Sequence, residues 1–355
     1  MKHVKQQIFL ILAFVCFVSY STDSEARMKN IAIIATGGTI SGAGESESEA
    51  KYASAKITVN SIIASVPNIS KLANIQSEQL LQMGSENMND ETWIKIAKRV
   101  NELLGKRDID GVVITHGTDT IEETAYFLNL VIRSKKPIIL VGSMRPSTSL
   151  SADGPLNLYN AVAVAASDKA INKGVLIVFN DNIYAARDVS KTNTTNVATF
   201  VSSDFGPIGN VYYGKTRIYY NPIRIHTSES MFNITNLKSL PKVDIVYGYT
   251  NHNSSTIDQL VNSGTKGIIY AGVGDGNIYK DTLAKLIDAS KNGVMLVRAS
   301  RVGSGFVVPN NEINDDEYKF VTADNLNPQK ARILLMLSLT KTNDYKKIQD
   351  IFWNY

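Results

Sequence analysis

The feature that most restricts what this chain can fold into is a regular exchange between short Val/Ile-rich runs and amphipathic stretches. From Asn30 onward "NIAIIA" gives way to a helix over "ETWIKIAKRVNELLG", and "GVVIT", "IEETAYFLNLVI", "PIILVG", "DGPLNLYNAVAVAA" and "GVLIVF" continue the exchange. Apolar runs of four to six residues need cover on both faces, which a parallel sheet flanked by helices supplies. Between residues 200 and 241 the exchange lapses into Gly, Pro, Tyr and Asn. It then resumes with "VDIVYGY", "KGIIYAG", a helix ending at Gly293 and "VMLVRAS". The reading is two α/β domains, a larger N-terminal one with a mostly parallel sheet (27–219) and a smaller C-terminal one (242–355), joined by a linker at 220–241. Asn327 before Pro328 marks the N-cap and first position of a late helix.

The first 26 residues follow a different rule. Lys2 and Lys5 precede the apolar run Ile8 to Val18, and small and polar residues follow up to "SEA", the layout of a secretory signal. Eleven residues are too few to span a bilayer, and no later segment approaches the roughly 20 that a spanning helix needs. The expected product is a soluble protein of the periplasm. Cys16, the single cysteine, lies inside the apolar run, so the mature chain is expected to lack thiol catalysis, disulfides and Cys-ligated metal. Lys and Arg number 37 against 33 Asp and Glu without a basic block, which gives no sign of a nucleic-acid partner.

Polar breaks interrupt the pattern where strands end. The best defined is "THGTDT": Thr120 with Glu123 three residues later fits a capping box, placing Thr118 and Asp119 between a strand's carboxyl end and a helix's N-terminus. Ligands of open α/β sheets bind at such positions, near free N–H groups and the positive end of a helix dipole. "ATGGTIS", "QMGSENMND", "VGSMRPSTS" and, in the second unit, "AGVGDGN" repeat the arrangement. Each alone is ordinary turn chemistry; together they line one sheet edge with hydroxyls, amides and carboxylates.

Elimination narrows the chemistry. There is no G-x-G-x-x-G, no P-loop, no H-E-x-x-H and no G-x-S-x-G, and the mature chain holds three histidines, His116, His226 and His252. No metal or cofactor is expected. His116 reads as a hydrogen-bonded scaffold residue, which leaves threonine hydroxyls as the leading nucleophiles. A threonine alcohol needs a neighbour to take its proton. Lys191, in "RDVSKTNTTNVATF", is the candidate, oriented by Asp119; the plainer reading is a solvated surface lysine.

These segments carry a resemblance. "IAIIATGGTIS", "VVITHGTDTIEETAYFL", "VGSMRPSTSLSADGPLNLYNA", "RDVSKTNTTNVATF", "AGVGDGNIYK" and "LNPQKAR" look like bacterial type II L-asparaginases, in the same order over essentially the whole mature chain. "TGGTI" paired with "HGTDT" is highly specific to that family. The resemblance implies a periplasmic homotetrameric amidohydrolase. Thr39 would attack the substrate's side-chain amide, giving a β-aspartyl ester that water hydrolyses as ammonia leaves. Tyr52 would sit beside Thr39 on a lid formed by "SGAGESESEA", and Thr118, Asp119 and Lys191 would form a second, rigid cluster. Asp119 would bind the α-amino group and Ser85 the α-carboxylate, with Glu86 and Ser143 nearby. Asn277 and Glu312 would reach a neighbouring subunit's site.

This chain departs from the family's common pattern at Glu86, where Gln is frequent, at Ser54, where Val is frequent, and at Ser143, where Ala is frequent. Glu at position 86 accompanies family members that also hydrolyse L-glutamine, so the alternative to an asparaginase is a glutaminase-asparaginase. A rival of another class is a periplasmic amino-acid binding protein, also exported and two-domain. Such proteins usually cross between lobes two or three times, whereas a single crossing is expected here. A transamidosome-type amidase subunit conflicts with the signal segment.

Overall fold

The structure, a computed structural model, describes residues 27–44, 52–53 and 57–355. The expected signal segment with Cys16, most of the expected lid, Ser54 and the Tyr52 side chain lie outside the described residues.

In chain order the strands begin with β1 (Asn30–Gly37) and the two-residue pair β2 (Ala43–Gly44) and β3 (Tyr52–Ala53). They continue with β4 (Asn74–Met83), β5 (Gly111–Thr115), β6 (Ile138–Val141), β7 (Val175–Phe179) and β8 (Asn182–Ala185). A second short pair, β9 (Ser190–Lys191) and β10 (Phe200–Val201), precedes the hairpin β11 (Gly209–Tyr212) and β12 (Lys215–Ile218). The last four are β13 (Val243–Tyr247), β14 (Gly267–Gly272), β15 (Met295–Ser300) and β16 (Val321–Thr322). The described helices are α1 (Val59–Ala64), α2 (Asp90–Gly105), α3 (Ile121–Val131) and α4 (Gly154–Ala165), then α5 (Ser255–Asn262), α6 (Lys280–Lys291), α7 (Asp315–Tyr318), α8 (Pro328–Ser338) and α9 (Tyr345–Asn354).

The larger sheet has eight strands in the order β12-β11-β8-β7-β6-β5-β1-β4; β4, β1, β5, β6 and β7 run parallel and the remainder antiparallel. The smaller sheet, β13-β14-β15-β16, is parallel throughout. The α/β architecture with a large and a small sheet is therefore as expected from the alternation of runs.

Side chains along the central strands alternate between two cores. On β1, Ala32 and Ile34 join one cluster while Ile31, Ile33 and Ala35 join the other, and β5, β6 and β7 divide in the same way. Both faces are covered, which is why these runs lack polar alternation. The first cluster does not stop at the larger sheet. Through α3 and α8 it continues into Val243, Ile269 and Val297 of the smaller one. Helix α3, buried almost all round, lies between its own sheet and α8, and Asn327 caps α8 by accepting from the Lys330 amide, with Pro328 in the first turn.

Strand β4 is absent from the apolar pattern. It is the edge strand beside β1, and Gln76, Ser77, Gln79 and Gln82 of "NIQSEQLLQM" face outward, so no buried run marks it.

Candidate active site

Four neighbouring parallel strands deliver the site. Thr39 follows β1, Ser85 follows β4, Thr118 follows β5 and Ser143 follows β6, all beyond carboxyl ends of strands that lie in the order β4-β1-β5-β6. The chain leaves β1 for β4 on one side and then crosses to β5 on the other. That reversal is the topological switch point, where adjoining loops part and leave room for a ligand.

Thr39 opens a single 3-10 turn, Thr39–Ser41, and is almost fully buried. The turn depends on Gly37 and Gly38, whose φ values of 114° and 82° lie where a side chain is strained. Gly38 also meets Gly117: a Cβ on Gly38 would stand 2.3 Å from the Gly117 Cα. The two polar turns thus touch backbone to backbone, bringing Thr39 beside Thr118. Beyond the turn, Ser147 fastens the start of the expected lid, its amide and hydroxyl both donating to the Gly42 carbonyl at 3.2 and 2.9 Å.

Lys191 reaches this edge from β9. Its ammonium donates to Thr118 Oγ1 at 3.0 Å and to Asp119 Oδ1 at 2.6 Å. The Lys191 side chain is 18% exposed and that of Asp119 61%, so the ion pair lies at the rim with the carboxylate open to solvent. Because Thr118 accepts from the lysine, its own hydroxyl proton is free to point into the site. The amides of Thr118 and Asp119 donate to no acceptor among the described residues, which suits them to an anionic oxygen.

Beneath this turn His116 is fully buried, and burial pulls its imidazole down to about 4. Its Nδ1 lies 2.8 Å from the Gly117 carbonyl, which accepts only, so Nδ1 carries the proton. Nε2 then accepts from Thr124, 3.0 Å away, and Thr124 accepts from Trp93 Nε1 at 2.9 Å. This closed chain of donors holds the turn from below, as the scaffold reading of His116 expects.

The capping box is not formed. Thr120 does sit at the N-cap of α3, but its hydroxyl donates across to the Ser85 carbonyl at 2.7 Å instead of capping the helix. The physical reason is proximity: Ser85 packs against Gly117, where a Cβ would meet Ser85 Oγ at 2.5 Å, and its carbonyl, which already accepts from the Met88 amide at 3.1 Å, has a second lone pair within reach of Thr120. The β4 and β5 turns are thereby locked together. Glu86, next in the chain, is exposed and accepts from the Asn87 amide.

The other expected residues divide. Ser143 is fully buried at the end of β6, with its hydroxyl donating to the Arg145 carbonyl at 2.8 Å. Tyr52 lies on β3 opposite Gly44. Asn277 and Glu312 belong to the smaller unit: Asn277 forms a bridge with Val273, and Glu312 is exposed in the loop before α7. Among the described residues, no hydrogen bond or ion pair within the chain joins either of them to Ser85, Thr118, Asp119 or Lys191.

Sequence reasoning misses a further layer. Glu122, 3% exposed on α3, accepts the Lys191 amide at 2.6 Å on one carboxylate oxygen. The other oxygen accepts from Asn327 Nδ2 at 3.0 Å and Gln329 Nε2 at 2.8 Å. Lys330, almost wholly buried and pulled down to about 8 by burial, donates to the carbonyls of Arg187, at 2.9 Å, and Val189. An acid in a helix's first turn reads as a dipole partner, and nothing in the sequence marks it as buried.

Comparison with known proteins gives three findings. The family described as "Asparaginase, N-terminal" matches residues 30–224, and that described as "Glutaminase/Asparaginase C-terminal domain" matches residues 242–352. The chain is 47% identical to "L-asparaginase 2" of Escherichia coli strain K12 over 98% of its length and all of that protein, and 47% identical to "Probable L-asparaginase periplasmic" of Haemophilus influenzae over 94% and 95%. Its structure is similar to a crystal structure of "Probable Cytoplasmic L-asparaginase" from Campylobacter jejuni, with a TM-score of 0.90, 49% identity and coverage of 92% of this chain and 100% of that one.

Proposed function

From the premise that the chain belongs to the asparaginase family, we infer that it is an L-asparaginase, hydrolysing L-asparagine to L-aspartate and ammonia at the Thr39 edge of the larger sheet. The observation that carries the site assignment is the convergence of Lys191 on both Thr118 and Asp119, one turn away from a buried threonine held by a glycine pair.

In this reading Thr39 Oγ attacks the side-chain amide carbon, the carbonyl π pair moves to oxygen, and the amide C–N bond breaks as nitrogen takes a proton and leaves as ammonia. Water then adds to the ester and returns the proton to Thr39. The unclaimed amides of Thr118 and Asp119 would hold the anionic oxygen; one such donor contributes about 3 kcal/mol. Lys191 and Thr118 would move protons, with Tyr52 assisting from the lid. Asp119 would take the substrate's α-ammonium and Ser85 its α-carboxylate, with Glu86 and Ser143 at the edges of the pocket.

Ammonia release from asparagine and glutamine by the purified protein, beside Thr39→Ala, tests this. Full activity in Thr39→Ala removes Thr39 from its role, and stoichiometric binding without ammonia supports a binding protein instead. Glutamine is the second substrate to consider, because Glu86 stands where acid rather than amide meets the α-ammonium.

We extend the reading to assembly and location. A homotetramer would bring Asn277 and Glu312 to a neighbour's site. Support comes from Tyr212, Tyr213, Tyr219, Ile223 and Phe306, large apolar side chains left exposed on the single chain that association would cover. Light scattering decides it, and a fully active monomer would exclude shared sites. The Lys2, Lys5 and Ile8–Val18 layout supports export to the periplasm, while the names of the relatives point both ways. Cell fractionation with the mass of the isolated chain is the check.

A further inference from the structure

We propose that Glu122 is a positioning residue for Lys191, fixing the lysine's main chain from the same helix whose leading turn receives the lysine's ammonium. The proposal rests on the functional reading above. Thr118, Asp119 and Glu122 lie within five consecutive residues, and each bonds to Lys191: the first two at Nζ, the third at the backbone amide. One rigid body therefore holds the lysine at both ends, and the four torsions between them are constrained by its geometry.

Little else holds Lys191. Strand β9 is two residues long, and its pairing with β10 involves only Phe200 and Val201. The Lys191 N–H points instead to the Glu122 carboxylate, an acceptor-only group that is almost wholly buried. A buried carboxylate costs stability unless its oxygens are satisfied, and here α8 provides the donors. Asn327 Nδ2 and Gln329 Nε2 both donate to the oxygen that Lys191 does not use. The same Asn327 amide bonds Ser190 Oγ at 2.9 Å, and Lys330 holds the carbonyls of Arg187 and Val189. The segment 187–191 is thus gripped from α3 on one side and from the first turn of α8 on the other.

Glu122→Gln tests the role while keeping shape. Every partner of the carboxylate is a donor, so the introduced amide nitrogen must face an N–H whichever way it turns. The expected result is about a 10-fold or larger fall in kcat for asparagine with KM within about twofold, in protein that keeps its circular dichroism while its Tm falls by only a few degrees. Adding Asn327→Asp should restore kcat to within about threefold. The aspartate still caps α8 with one oxygen and offers the other to the new amide. Burial without positioning would instead lower the yield of folded chain and leave kcat per folded chain unchanged.

A kcat within twofold of wild type in Glu122→Gln overturns the proposal, as does a double variant no more active than the single one. If Glu122→Gln does not fold, Gln329→Met, which removes one donor at the half-buried rim, decides: a fall of about threefold in kcat at unchanged KM supports the role and an unchanged kcat overturns it. Wild-type turnover of asparagine is measured alongside. Its absence sinks the functional reading, whereas its presence with an unperturbed Glu122→Gln sinks the positioning role alone.

Discussion

Gly38 and Gly117 pack backbone against backbone, so closely that a Cβ on Gly38 would stand 2.3 Å from the Gly117 Cα and 2.4 Å from its nitrogen. This contact couples the turn that carries Thr39 to the turn that carries Thr118. Gly38→Ala combines a left-handed φ of 82° with that collision. We expect a loss of about 2–4 kcal/mol in stability together with most of the activity. Urea unfolding beside an ammonia assay checks both, and a variant of native stability and full turnover would show that the turns can separate freely.

Lys191→Met should divide activity from stability. Asp119 is largely exposed, and an ion pair at such a rim contributes about 0–1 kcal/mol, so Tm should move little. Turnover should fall by about 10²- to 10⁴-fold if the lysine moves a proton in the reaction. Equal kcat in wild type and variant would return Lys191 to the status of a surface lysine.

His116 gives the fold an acid limit. Its folded value of about 4 lies below the 6.5 of the unfolded chain, so between those values the unfolded state binds more protons. Stability from this group is complete above pH 6.5 and falls through the window to pH 4, by an amount on the order of 3 kcal/mol. Chemical denaturation midpoints from pH 4 to 8 should slope in wild type and flatten in His116→Gln. Parallel slopes would assign the acid lability to other groups.

Glu86→Gln should lower the ratio of glutamine to asparagine kcat/KM by about 3- to 10-fold, chiefly through the glutamine term. The side chain is exposed and its visible partner is Asn87, so folding should be unaffected. An unchanged ratio would remove Glu86 from substrate selection.

The legible part of this chain was what both faces of a sheet impose. β1, β5, β6 and β7 stand out as apolar runs because each is covered on two sides, and Asn327 with Pro328 marks a helix start because the backbone there needs both. The strand-end turns of Thr39, Thr118 and Ser143 followed from that pattern, that of Ser85 follows an edge strand outside it, and the adjacency of all four required the order β4-β1-β5-β6, which local sequence does not encode. Thr120 shows a second limit: a local motif was present, yet its hydroxyl found a partner 35 residues away in the Ser85 carbonyl. Glu122 shows a third. Its burial comes from α8, which lies over 200 residues later, and a first-turn acid looks the same in the sequence whether or not another helix covers it.

The inner cluster that runs from Ala32 through α3 and α8 to Ile269 and Val297 has a mechanical consequence. Two lobes sharing one interior cannot swing apart like the halves of a clamshell without exposing that interior to water. Heat or urea should therefore dismantle both sheets in a single cooperative event.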